Sequence, residues 1–267
     1  MKIMLFSDLH YFAGDMETAI FNTKRKLVKY ALPMLDRFTE MVNEEYKADF
    51  AVNLGDTIQD TTDHDRDIEA LKFIFGRLKR INCPCYSVLG NHDLKMMDSV
   101  EEVESIMGYK STYSFDFDGW HLVFLSPEVR PELGIERGGC YKAQYLAEET
   151  LLWLDADLKK NKLPCLIFTH YGVAEDETIS DGCMFMKNRN ELKEILTRSN
   201  RVKAVFSGHQ HITRQHKENG IDYYVLSSMI NDSSENDDPD GSYILIETDG
   251  ENLKVTNNRI GKAELKL

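Results

Sequence analysis

Short apolar runs that stop abruptly on polar residues recur along the chain. Ile3-Met4-Leu5-Phe6 stops at Ser7-Asp8-Leu9-His10, and Phe50-Ala51-Val52-Asn53-Leu54 stops at Gly55-Asp56. The run from Cys85 to Leu89 ends at Gly90-Asn91-His92-Asp93 and that from Leu163 to Phe168 at Thr169-His170. The run from Val202 to Phe206 ends at Ser207-Gly208-His209-Gln210-His211. Runs of this length, bounded by glycine or polar residues, suit buried strands. Between them apolar residues step by three and four. Leu27, Tyr30, Ala31, Met34, Leu35, Phe38, Met41 and Val42 predict a helix within Lys24 to Tyr46, and Ile68, Leu71, Ile74, Phe75 and Leu78 another within Asp67 to Lys79. Shorter helices are predicted over Glu148 to Leu158 and Asn190 to Leu196. Alternating strands and helices imply an α/β fold with a largely parallel sheet.

Two regions depart from that rhythm. Tyr113 to Ser126 reads as a hairpin turning at Asp118-Gly119. Near the C-terminus, Asp222 to Leu226, Tyr243 to Glu247 and Leu253 to Asn257 read as strands, the last two joined at Asp249-Gly250. An α/β alternation followed by an all-strand end predicts a four-layer αββα sandwich of two mixed sheets flanked by helices. The acidic stretch Ser233 to Gly241 is short enough for a surface loop. No repeat or low-complexity linker divides the chain, so a single domain over 1–267 is expected.

Composition narrows the chemistry. Apolar residues are 42% and charged residues 29% of 267, ordinary for a globular protein. The formal charge of −13 argues against a nucleic-acid polymer as partner, which needs a basic surface. An anionic substrate would need bound cations to reverse the local field. Cys83, Cys85, Cys140, Cys165 and Cys183 are odd in number and scattered, and read as reduced apolar residues. The first apolar run is too short for a signal peptide and no run approaches a membrane span, so a cytoplasmic location without membrane contact is expected.

The polar residues fall at one kind of place. Each of the five strand candidates carries them at its C-terminal end, the edge where open α/β sheets bind ligands. Five of the eight histidines (His10, His92, His170, His209 and His211) stand there beside Asp8, Asp56 and Asn91. Scatter does not produce that grouping.

These blocks resemble the calcineurin-like metallophosphoesterases. The family pattern is Asp-x-His, Gly-Asp, Gly-Asn-His-Asp/Glu, a lone His after a strand, and Gly-His-x-His. Asp8-Leu9-His10, Gly55-Asp56, Gly90-Asn91-His92-Asp93, Thr169-His170 and Gly208-His209-Gln210-His211 match it in order. The resemblance implies two divalent ions, with Asp56 bridging them, Asp8, His10 and His211 on the first, and Asn91, His170 and His209 on the second. Such a pair can clamp a phosphoryl group and activate water. Imidazole and oxygen donors suit manganese, the expected metal, and also iron, zinc, cobalt or nickel. The resemblance gives His92 a substrate-facing role, and Asp93 either orients that ring or holds a local turn. Gly55, Gly90 and Gly208 would let the chain turn sharply as it leaves the sheet.

Departures refine the reading. Protein phosphatases of this superfamily carry an aspartate, then an arginine, three residues after the bridging Asp. Gln59 occupies that position here and Asp60 comes one residue late. Gly138-Gly139-Cys140, Leu151-Leu152-Trp153-Leu154 and Tyr171-Gly172 look more like the class III cyclic-nucleotide phosphodiesterases and the manganese-dependent ADP-ribose/CDP-alcohol diphosphatases. The expected activity is hydrolysis of a phosphodiester or diphosphate bond in a small nucleotide-like molecule. The alternatives are a phosphomonoesterase, or a silent protein-binding scaffold, which would tend to lose His92 or several ligands. Tyr11, Phe12, Tyr171 and Phe185 either wall a base-binding cleft or pack in the core. The stretch from Glu175 to Asn190, with Lys187, Asn188 and Arg189, is either a lid or a solvated loop. His64 reads as part of an acidic helix start, His121 as a hairpin residue and His216 as part of a polar turn.

Overall fold

Alternating side chains along the first strand, β1 (Lys2–Phe6), account for the layering of the molecule. Ile3 and Leu5 pack into one cluster and Met4 and Phe6 into another, and all four are fully buried. Both faces of the strand must therefore be covered. In this computed structural model, which describes residues 1–21, 24–133, 142–175, 179, 182–232, 236–250 and 252–265, one face meets a second sheet and the other meets helices.

The first sheet contains β1, β4 (Phe50–Asn53), β5 (Cys85–Ser87), β12 (Ser242–Asp249) and β13 (Asn252–Arg259), in the order β13-β12-β1-β4-β5. β1, β4 and β5 are parallel, whereas β12 runs antiparallel to both β1 and β13. The second sheet has six strands. They are β6 (Tyr113–Phe117), β7 (Trp120–Leu125), β8 (Cys165–Thr169), β9 (Val202–Ser207), β10 (Arg214–Glu218) and β11 (Ile221–Val225), in the order β10-β11-β9-β8-β7-β6. Between the sheets Ile3, Leu5, Phe50 and Val52 share one cluster with Trp120, Leu122, Phe124, Leu166, Phe168 and Phe206. Phe124, Phe168, Phe206 and Tyr224, from four neighbouring strands, stack with centroids 4.9, 5.6 and 5.2 Å apart. Such offset aromatic pairs add stabilisation beyond the buried area.

Helices cover the outer faces. α1 (Ala31–Glu40) and α2 (His64–Leu78) press Met34, Leu35, Phe38, Leu71 and Ile74 against Met4 and Phe6. α5 (Glu148–Lys160) and α6 (Arg189–Ser199) press Leu154, Leu158, Leu192 and Leu196 against Val123, Ile167 and Val205. The expected αββα sandwich is the observed fold. The Asp118-Gly119 hairpin turn is also observed, both residues having positive φ (50° and 78°), as a tight primed turn requires.

Several elements differ from expectation. Lys24–Lys26 is not helical but forms β3, paired with β2 (Ala19–Phe21), because Lys26 is drawn into a β-bridge with Asn231. The helix begins at Ala31 and passes through a wider π-helical segment, Met41–Tyr46, before Lys47 ends it at φ 49°. His216 lies in β10, an edge strand so polar that its periodicity is silent. α3 (Asn91–Leu94) and α4 (Val100–Met107) also went unread, although Ser99 and Glu102 form a capping box at the start of α4. Gly138-Gly139-Cys140 and part of Ser233 to Gly241 lie outside the described residues. Among the described residues no helix is long and apolar enough to cross a membrane.

The sandwich interior sets the stability. Phe168→Ala, which empties a fully buried site in that aromatic stack, should cost roughly 3–5 kcal/mol in chemical denaturation. Leu152→Ala on α5, 65% exposed, should stay within about 0.5 kcal/mol.

Candidate metal centre

The chain leaves β1, β4, β8 and β9 through turns that place the chemistry-bearing side chains side by side. Asp8, His10, Asp56, His209 and His211 all have positive φ, between 46° and 64°. Non-glycine residues seldom adopt this conformation, and it clusters where function requires a side chain to be aimed. Of the three glycines expected to ease the turns, Gly55 does so with φ 97°. Gly90 and Gly208 serve a different purpose. A Cβ on Gly90 would collide with Asp56 Oδ1, and one on Gly208 with Ser7 Oγ, so both are glycines for close approach.

Two histidine pairs face one another across a buried carboxylate. His10 Nε2 and His211 Nε2 are 3.1 Å apart, and His170 Nε2 and His209 Nδ1 are 3.2 Å apart. The opposite ring nitrogens decide the tautomers. His211 Nδ1 donates to Asn231 Oδ1 at 2.7 Å, His170 Nδ1 to the Leu54 carbonyl at 2.7 Å, and His209 Nε2 to the Cys183 carbonyl at 2.8 Å. A ring held in this way, when neutral, turns a bare lone pair inward. Bare nitrogens that close repel unless a proton or a cation lies between them.

The carboxylates match the pairs. Asp56 Oδ1 lies 3.4 Å from His170 Nε2, and Oδ2 lies 3.9 Å from both His10 Nε2 and His92 Nε2. One oxygen thus faces each side. Asp8 Oδ2 is held by Ser7 Oγ and the His209 amide, whereas Asp8 Oδ1 is buried, accepts no hydrogen bond and sits 3.2 Å from His211 Nε2. A buried acceptor left open in this way suits a cation. Asn91 opens α3, buried, between Gly90 and His92, both of which touch Asp56. The residues present fit a pair of divalent ions.

Electrostatics support the same picture. Burial opposes the charge on Asp56, yet the His170 and His92 rings outweigh it and hold the carboxyl well below its usual range. Burial likewise opposes protonation of His170, but Asp56 prevails and pushes it up to about 9. Burial and its neighbour His170 push His209 down to about 3. His10 is held well below its ordinary value by burial, then by Lys26 and His92.

His92 stands at the mouth, its side chain 12% exposed where Asp8, His10 and His170 are sealed. The carboxylate against its Nδ1 is Asp60, itself bound to the Lys95 ammonium. Burial raises the Asp60 pKa, and these two partners overcome it, so the carboxyl is held below its usual range. Asp93 is turned away from the ring. It accepts from the amides of Gly90, Thr57 and Ile58 at 3.0, 2.8 and 3.3 Å and so ties α3 to the turn after Asp56. Burial, with Asp56 nearby, pushes Asp93 up to about 7. Of its two readings, the geometry is that of the turn.

Tyr171 and Phe185 are core residues, Tyr171 lying under His209 with centroids 4.3 Å apart. Tyr11 stacks on Phe73 at 5.1 Å, and Phe12 lies beside the Arg66 guanidinium. Within Glu175 to Asn190, the described segment from Cys183 to Met186 is buried, and its carbonyls accept from His209 and Gln210. That part is neither lid nor solvated loop. His64 pairs with Glu102 at the surface and His121 with Asp116 and Asp157, all away from the centre. Asn231, Lys26 and the Cys183 carbonyl carry no local sequence signal and were missed.

A calcineurin-like phosphoesterase family model matches residues 1–213. The chain belongs to that family. Among curated members, a probable cyclic nucleotide phosphodiesterase of Xenorhabdus bovienii is 27% identical over 161 residues, covering 59% of this chain and 61% of that protein. One of Psychrobacter sp. is 21% identical over 199 residues, covering 71% and 54%. The chain thus spans between about half and three fifths of the length of these relatives. In fold it is similar to a dimetal phosphatase from Danio rerio, with TM-score 0.71, 16% identity, and 96% and 95% of the two chains covered. It is also similar to the Plasmodium inner-membrane-complex anchor GAP50, with TM-score 0.59, 12% identity, and 100% and 89% covered.

The acceptor behind His211 offers a direct test of this calcineurin-like centre. Asn231→Ala removes the oxygen that holds His211 Nδ1–H and should weaken Mn²⁺ binding roughly 10–100-fold in calorimetry, with the fold retained by circular dichroism.

Proposed function

We propose that this chain is a binuclear metal-dependent phosphoesterase acting on phosphodiester or diphosphate bonds of a small nucleotide-like molecule. Asp8, His10 and His211 would hold one ion and Asn91, His170 and His209 the other, with Asp56 between the two sets. Manganese is the proposed metal, since imidazole and carboxylate donors without thiolate suit it. The observation that carries the reading is Asp56, buried with one oxygen toward each inward-facing histidine pair. Similarity to two probable cyclic nucleotide phosphodiesterases supports the cyclic-nucleotide class. Fold likeness alone would not choose, because it extends to both a phosphatase and an anchor protein. A scaffold, however, has no need of a full donor set with His92 at its mouth.

Bound there, the two ions would supply positive charge for the phosphoryl oxygens and an activated water. The protein does the rest. The strand ends hold the donors rigidly, and the Leu54, Cys183 and Asn231 oxygens fix which nitrogen each ring presents. Asp60 takes the Nδ1–H of His92 and leaves Nε2 toward the cleft, where it can give a proton to the departing oxygen. Reduced Cys83, Cys85, Cys165 and Cys183 suit the cytoplasm as the proposed location.

Two measurements test the assignment. Asp56→Asn should lower metal content at both positions and abolish hydrolysis of bis-p-nitrophenyl phosphate. Two tightly held ions in that variant would overturn the bridge. His92→Ala should keep both ions yet lose roughly 10²–10⁴ in kcat on esters with alkoxide leaving groups. The loss should be much smaller for p-nitrophenolate, which needs no proton. Equal losses on the two kinds of ester would remove His92 as the proton donor.

A further inference from the structure

Beside the His10–His92 edge stand two residues without a task in the chemistry above. Lys26, the last residue of β3, is buried, 2% exposed. Its Nζ donates to Gln59 Oε1 at 2.5 Å and lies 3.4 Å from His10 Nδ1. The β-bridge to Asn231 pins its backbone, and the Gln59 amide is pinned in turn by the Tyr11 carbonyl at 2.8 Å. Gln59 is half-buried, and its Nε2 lies 3.4 Å from His92 Nδ1.

These contacts settle which way the carboxamide faces. A lysine ammonium only donates, so the Gln59 oxygen faces Lys26 and the NH2 group faces His92. His92 Nδ1 already donates to Asp60, whose carboxylate only accepts. The approach at 3.4 Å is therefore donor against donor and forms no bond. Among the described residues the Gln59 NH2 group has no contact with an acceptor, its one polar neighbour being His92 Nδ1. A polar donor thus stands at the Nδ1 edge of the ring whose Nε2 faces the cleft, on a side chain that is itself part-exposed.

We infer that Gln59 contacts the substrate, its amide N–H donating to a non-bridging phosphoryl oxygen while Lys26 holds the carboxamide in place. This rests on the phosphoesterase reading and adds a source of selectivity. A phosphodiester carries one negative charge, whereas a monoester carries −1.5 to −2 near pH 7. Beyond what the two ions supply to either ester, the second charge of a monoester gains most from a further cation placed against the phosphoryl oxygens. A carboxamide supplies a hydrogen bond and no counter-charge. Gln59 therefore favours diesters, and a cation in its place would favour monoesters.

Gln59→Ala, Gln59→Met and Gln59→Arg, each metal-loaded, would be compared with wild type on bis-p-nitrophenyl phosphate and p-nitrophenyl phosphate. Metal content, and calorimetric binding of inorganic phosphate, would be measured on every protein. Ala and Met should lower kcat/KM for the diester roughly 10–100-fold with both ions retained, the loss of one hydrogen bond to a charged group. Arg should raise the monoester-to-diester ratio, and tighten phosphate binding, at least roughly tenfold. Ala and Met within twofold of wild type on the diester, loss of ions in these variants, or an unchanged ratio in the Arg variant would each overturn the inference. A wild type inert on both esters would overturn the hydrolase reading itself. An active wild type indifferent to Gln59 overturns this inference alone.

Discussion

Asp56 places a carboxylate at the centre of the protein, 1% exposed, with imidazoles from three strand ends around it. A carboxylate taken out of water is penalised heavily unless charge or hydrogen bonds answer it. Here one hydrogen bond comes from the His92 amide at 2.9 Å, and without a metal the His170 ring must carry a proton toward the carboxylate, while His209 turns a lone pair inward. Carboxylates and bare nitrogens crowded together can share only something positive. The protein alone leaves that requirement open, and a pair of divalent cations would fill it. The left-handed backbone at Asp8, His10, Asp56, His209 and His211 belongs to the same requirement, since five strained residues in three turns persist only where the surroundings over-determine them.

The surroundings do so through the sandwich. β1, β4, β8 and β9 are buried on both faces, so none can slide without moving Ile3, Val52, Phe168 or Phe206 out of the inter-sheet core. Contacts across strand ends add to this. The amides of Asp8 and His10 donate to the carbonyls of Gly55 and Asp56, and Gly208 donates to the His170 carbonyl. Gly90 and Gly208 permit these approaches by leaving no side chain in the way. Rigidity of this kind is what a metal centre needs, because donors misplaced by a fraction of an ångström lose the ion.

Much of this was legible in the chain and some was not, for definite reasons. The strand ends could be read because buried parallel strands are apolar throughout, so any polar residue at their ends stands out. The second layer of the centre could not. The Leu54 and Cys183 acceptors are backbone carbonyls, which every residue owns, and Asn231 comes from a connection more than a strand away in sequence. Asp93 was one candidate for orienting His92 because it is adjacent in sequence, but adjacency on a helical turn sends the two side chains apart, and Asp60 arrives from the turn after β4. Lys24–Lys26 was absorbed into a helix because the three- and four-residue apolar steps that run to Val42 begin at Leu27, which like Val28 is buried. Their burial comes instead from the turn between β3 and α1, a tertiary effect that overrides local pattern.

The net charge of −13 poses the remaining physical question, since the proposed substrate is itself an anion. Long-range attraction cannot bring it in, because the summed field of such a chain opposes its approach. The answer must be local, within the Debye length of about 8 Å at physiological salt. Around His92 the chain gathers Lys26 and Lys95, and both are coupled to the centre through Gln59 and Asp60. Lys26 keeps an ammonium in a buried place only because Asp56, Asp8 and Asp60 oppose the burial that pushes it down to about 8. The carboxylates that require cations thus also hold a lysine charge beside them. With the ions bound, the mouth of the cleft would carry positive charge on a negative protein. That places the attraction for phosphate where the bond is to be cut and leaves the rest of the surface to repel it.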